Sequence, residues 1–111
     1  MAEDGANPWA GEVRLVLDGR AYRCKLTLGA LAELEAALDS GTLVELVTRF
    51  EEGRFTSRDV LALVVAGLRG GGWEGEACDL VTAEIEGGPL EAARVAARLL
   101  TRAFAVGGET Q

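Results

Sequence analysis

Gly70, Gly71 and Gly72 run together ahead of Trp73, and Glu74 and Glu76 follow close behind. Glycine runs are where backbone amides can cradle a phosphate, so this stretch is the first candidate for chemistry. A phosphate loop, however, follows a strand and opens the next helix with a Lys-Ser/Thr pair. Here a helical pattern precedes the glycines and Trp73-Glu74 follows them, and carboxylates at that point repel phosphate. The glycines therefore read as a break between helices. Trp73 beside them has two readings: a core residue anchored next to a turn, or an anchor for a partner, since Trp is enriched at interface hot spots.

Other chemistry is poorly supplied. The chain has no histidine, so a Ser-His or Cys-His pair cannot form, and no Ser-x-x-Lys motif replaces it. Carboxylates are plentiful, but Glu33, Glu35, Glu45, Glu51 and Glu52 fall on the outer faces of helical patterns, where solvation accounts for them. No oxygen-rich loop of the EF-hand kind is present. Cys24 and Cys78 lack CxxC partners and read as two small buried thiols rather than a disulfide. The expectation is of no enzyme, with no catalytic, cofactor-binding or metal site. One feature remains: Arg94, Arg98 and Arg102 recur at i+4 on the last helical pattern. They form either a solvated row, favoured near a helix C-terminus, or a docking strip for an acidic partner segment.

The elements that would position these residues belong to one domain. A chain of 111 residues, 49% hydrophobic, can bury one modest core. Its net charge of −7 repels polyanions and argues against nucleic acid as a partner. No apolar run approaches the ~20 residues that span a bilayer, and MAEDGANPW has neither the basic nor the apolar region of a secretory signal. The expected compartment is the cytoplasm, with no membrane partner.

The expected organisation is a flexible tail over 1–10, a single domain over 11–106 and a second flexible tail over 107–111. The domain is mainly α with an N-terminal β-hairpin, an α+β class with five short amphipathic helices. Asp18-Gly19 signals a two-residue turn with positive φ at both positions. Pairing outward from it sets Leu17 opposite Arg20, Leu15 opposite Tyr22, Val13 opposite Cys24, Glu12 opposite Lys25 and Arg14 opposite Arg23. Thr27 caps a helix with Leu28, Leu31, Leu34 and Leu38 on one face, ended by Ser40-Gly41. Thr42 opens a second through a Thr-x-x-Glu box, with Leu43, Leu46, Val47 and Phe50 inside and Gly53 as its stop. Phe55 staples the link to a third, capped by Thr56 or Ser57, whose Leu61, Val64, Val65 and Leu68 face the core. A fourth carries Ala77, Val81 and Ile85 and ends at Gly87-Gly88. Pro89 starts the fifth, where Leu90, Ala93, Ala97, Leu100 and Phe104 keep the 3-4-3-4 spacing of a heptad seam, and Gly107-Gly108 closes it.

Three segments taken in succession, NPWAGEVRLVLDGRAYRCKLTLGALAELEAAL, LVTRFEEGRFTSRDVLALVVAGLRGGG and AEIEGGPLEAARVAARLLTRAF, resemble a small tail protein of gene transfer agents, the phage-like particles made by alphaproteobacteria. The resemblance spans about residues 7 to 105. It implies a place in the gene cluster between the tail tube and the tape measure, membership of the tail assembly chaperone group, and no catalytic residues. The family has also carried the label of tail tube protein. The implied partners are the tape measure protein and tail tube subunits, with self-association left open and Trp73, Arg94, Arg98 and Arg102 as candidate contacts. The implied role is a chaperone that covers apolar stretches of the tape measure until the tube replaces it. The alternative is a minor structural component retained in the tail. Phage tail tube proteins generally close their rings through β-strands, to which one hairpin and five helices are a poor match.

Overall fold

The computed structural model describes residues 11–38 and 42–109, with side chains as far as Phe104. The N-terminal residues 1–10, the expected Ser40-Gly41 helix stop and residues 110–111 lie outside it. A two-stranded antiparallel sheet, β1 (Glu12–Leu17) and β2 (Arg20–Lys25), is followed by α1 (Leu28–Ala37), α2 (Leu43–Glu51), α3 (Ser57–Gly70), α4 (Ala77–Val81) and α5 (Gly88–Glu109). The class is α+β, as expected.

Asp18 and Gly19 both have positive φ, 50° and 81°, which is what a two-residue hairpin turn demands. The strand register is the one read from the sequence, from Leu17↔Arg20 out to Glu12↔Lys25. Val13, Leu15, Leu17 and Cys24 are buried, so the apolar face of the hairpin packs on the helices. Three threonines start three helices. The side-chain oxygens of Thr27, Thr42 and Thr56 accept from the amides of Ala30, Glu45 and Asp59. Thr56, not Ser57, is the cap of α3, and Asp59 returns the bond to its amide at 2.9 Å. Phe55 stacks on Phe50 with ring centroids 4.4 Å apart, joining α2 to the start of α3.

Helix α3 is the centre of the molecule, with Leu63, Val64, Ala66, Gly67 and Leu68 all buried. Its glycines do two different jobs. A methyl carbon on Gly71 would lie 1.8 Å from the carbonyl oxygen of Arg23, and one on Gly70 would lie 2.0 Å from that of Lys25. Only glycine lets the end of α3 close onto β2. Gly72, at φ 107°, then ends the helix: its amide donates to the Arg69 carbonyl and the Trp73 amide to that of Leu68, a Schellman arrangement. The run is thus a close approach followed by a stop.

Helix α5 is rolled relative to its expected face, whereas α1 keeps Leu31, Leu34 and Leu38 on the core and leaves only Leu28 outside. In α1 the buried residues are Ala30 and Leu34, while Leu28 is 83% exposed. In α5 the buried stripe is Ala92, Val95, Ala96, Leu99 and Leu100, and Leu90 is 64% exposed. The cause is the shape of α3. Ala30 fits against Gly70, and Leu99 sits where a Gly67 side chain would be.

The fourth helix is also shorter than expected, a single turn in which Leu80 is buried and Ala77 and Val81 are exposed. Ile85 is not helical. It bridges Leu17, with the Asp18 amide donating to the Glu84 carbonyl at 2.8 Å and the Glu86 amide to that of Val16 at 3.1 Å. Both hairpin edges are therefore occupied in part: β1 near its turn by Glu84–Glu86, β2 at its far end by Gly70 and Gly71. Helix α5 runs through Gly107-Gly108, where a stop was expected, to Glu109.

Candidate partner-binding surface

Trp73 is half-buried at the rim of the core. Its indole folds over Gly75, where a methyl carbon would lie 2.2 Å from the ring. With Tyr22 and Leu80 it lines an open recess of about 390 Å³ that also includes Arg20 and Asp79. Arg69 fixes this turn by donating to the Gly75 carbonyl at 2.9 Å and to the Glu33 carboxylate at 3.0 Å. Trp73 is thus held by the core on one side and open on the other.

The three arginines of α5 do not form one equivalent row. Arg94 and Arg98 are exposed and share one carboxylate, Glu91, at 3.6 and 4.0 Å. Arg102 is half-buried and donates to the Glu12 backbone carbonyl, which ties α5 to the start of β1. The structure keeps Arg94 and Arg98 together and sets Arg102 apart from Trp73 and from them in its bonding.

The carboxylates named from the sequence, Glu33, Glu35, Glu45, Glu51 and Glu52, are exposed. No group of three or more Cys, Asp or Glu side chains among the described residues is placed to hold a metal ion. The cysteines are free and unlike each other. Cys24 is buried, and burial pushes its thiol up to about 12, so it stays protonated and inert. Cys78 is exposed on α4, contrary to the expectation of two buried thiols, because that single turn inserts only Leu80.

The charged pair that the sequence reading missed is Arg49 with Asp59. Asp59 is 7% exposed and takes both ends of the Arg49 guanidinium, at 3.1 and 2.8 Å, besides the Thr56 amide. Burial acts most strongly on the Asp59 carboxyl and pushes it up. The bonds from Arg49 and Thr56 together outweigh that and hold it below the usual carboxylate range. Thr56-x-x-Asp59 was a visible capping signal, but nothing local marks Arg49 as its partner.

An apolar groove of about 440 Å³ lies between the N-terminal half of α3, α4 and the start of α5. Val60, Leu61, Val81, Ile85, Pro89 and Ala93 line it, and Val81 is 70% exposed at its edge. A family model described as phage tail tube protein, GTA-gp10, matches residues 10–106, and the chain belongs to that family. It is accordingly a protein of the gene transfer agent or phage tail type. No curated protein and no solved structure matches it. No helix among the described residues is long and apolar enough to cross a membrane.

Proposed function

We propose that this protein serves the construction of a phage-like tail by binding the tail's other proteins, without chemistry of its own. The observation that carries this is the tail family match along residues 10–106. The family's description favours a minor structural component that stays in the tail. Its partners are then the tail tube subunits and the tape measure protein.

An assembly chaperone that acts on the tape measure in the cytoplasm and then leaves is the second reading. One observation favours it. Among the described residues the only sheet is a two-stranded hairpin, and Glu84–Glu86 and the α3 glycines occupy parts of its edges. Little edge is left for a ring that closes through strands.

Quantitative mass spectrometry of purified particles separates the two. A copy number equal to a full ring, or a multiple of one, assigns the retained component. Traces only, together with tail failure when the gene is deleted, assign the chaperone. Normal tails in the deletion strain would remove both.

A further inference from the structure

Helix α5 buries one apolar face and leaves another in water. Leu90, Ala93, Ala97, Leu100 and Phe104 span about 21 Å of helix at the spacing of a heptad seam. Leu100 lies inside, yet Leu90 is 64% and Phe104 44% exposed, with Ala97 exposed between them. The core takes only Leu100 from this spacing, and Ala92, Val95, Ala96 and Leu99 fill the rest of the interior. Toward its N-terminal end the seam runs into the apolar groove, which Pro89 and Ala93 line. Apolar side chains held at seam spacing on an ordered helix, continuous with a groove, match the way one amphipathic helix receives another.

Charge decides which helix fits. Arg94 and Arg98, with side chains 58% and 50% exposed, follow one flank of the seam. Among the described residues Glu91 is the only carboxylate they share, so that flank keeps a positive surplus on a chain of net charge −7. The other flank, through Ala92 and Ala96, turns into the core. A second copy of this chain docked antiparallel would set one arginine row against the other.

We propose that the seam receives an amphipathic helix of another tail protein. That helix carries apolar residues at i, i+3, i+4 and i+7 and a row of Glu or Asp along the flank that meets Arg94 and Arg98. The proposal rests on the partner-binding role above, but its test uses purified protein, so it fails or holds independently of what particles contain.

Two synthetic helical peptides serve as probes, each with leucines at seam positions and differing only in Glu or Lys along one flank. Each is titrated into the full-length protein by calorimetry, with NMR shifts locating the contact. The Glu peptide binds about tenfold or more tighter than the Lys peptide, and Leu90→Ser or Phe104→Ser weakens it by about tenfold. The double variant Arg94→Glu, Arg98→Glu inverts the preference. The charge result is diagnostic, because non-specific attraction to so acidic a chain favours the Lys peptide. Circular dichroism confirms that the variants, all at exposed positions, keep their fold. Equal binding of both peptides, no binding of either, or binding indifferent to Leu90→Ser overturns the proposal. A wild-type dimer in sedimentation that Leu90→Ser abolishes also overturns it and assigns the seam to a second copy.

Discussion

The two ends of α3 are built on opposite plans. At its C-terminal end Gly70 and Gly71 bring helix backbone against the carbonyls of β2, and Gly67 takes Leu99 into the space of a missing side chain. At its N-terminal end Val60 and Leu61 look into an open groove walled by a one-turn helix and the start of α5. Both ends are apolar. One is closed by removing side chains, the other left open by keeping large ones apart. Close packing holds the hairpin, α3 and α5 as a rigid base, and the proposed binding falls to exposed residues at the rim of the open groove. Stability and binding are therefore expected to respond to different mutations.

The largest expected effect lies at the closed end. Leu15 is 2% exposed, so Leu15→Asp buries an unpaired charge and removes apolar contact, a loss of about 5 kcal/mol that leaves most of the chain unfolded. A urea midpoint near that of wild type would make the hairpin a free arm and erase the contrast. Gly71→Ala comes next, at about 3 kcal/mol, from collision with the Arg23 carbonyl. Gly53→Ala is its control: Gly53 sits in open space at φ 72°, and the strained backbone alone costs about 1 kcal/mol. Equal losses at the two sites would show that the close approach is not what stabilises the α3 end.

Asp59 gives a pH handle on the joint between α2 and α3. Its folded pKa is depressed, so its contribution is full above the unfolded value of about 3.9 and is lost as pH falls through the folded value. Asp59→Asn lowers stability at neutral pH but loses less between about pH 5 and about pH 2 than wild type does. Denaturant titrations across that window check it, and parallel pH slopes would deny the pair its role. The smallest effects belong to the open surface. Arg102→Ala costs about 1 kcal/mol, through its lost bond to the Glu12 carbonyl, whereas Arg94→Ala and Leu90→Ser stay within about 0.5 kcal/mol of wild type. A loss at Leu90 as large as at Arg102 would mean that the seam belongs to the core.

What the sequence made legible was local. Asp18-Gly19 specifies the turn, and a two-residue turn leaves one register, so every pair in the hairpin followed from it. The capping threonines were equally plain, since each needs only a partner three residues ahead. The exposure of Leu28 and the roll of α5 were not, because both are set by the neighbouring surface of α3 and not by local spacing. Ala30 packs against Gly70 and Leu99 against Gly67, so Ala30 is buried where Leu28 was expected, and Ala92, Val95, Ala96 and Leu99 where Leu90 and Phe104 were. The glycine run itself carried that signal, but it was read only as a break. Glu84-Ile85-Glu86 alternates like a strand, and the i+4 spacing of Ala77, Val81 and Ile85 hid it behind a helical pattern. Of the candidate contacts, the arginine row was visible as a row. Only the fold shows that Arg102 is occupied elsewhere.

The bond from Arg102 to Glu12 joins residues 90 positions apart, and the bridge from Ile85 to Leu17 spans most of that distance. During synthesis β1 therefore emerges long before the segments that cover its outer edge and apolar face. At ribosomal speed the wait is on the order of ten seconds. Throughout it the nascent hairpin presents a bare strand edge backed by Val13, Leu15 and Leu17, which is a surface that invites pairing with other chains. A product cut off before α5 is thus not a smaller version of the protein. It keeps the edge bridge from Ile85 but leaves the apolar face of β1 without the α5 cover.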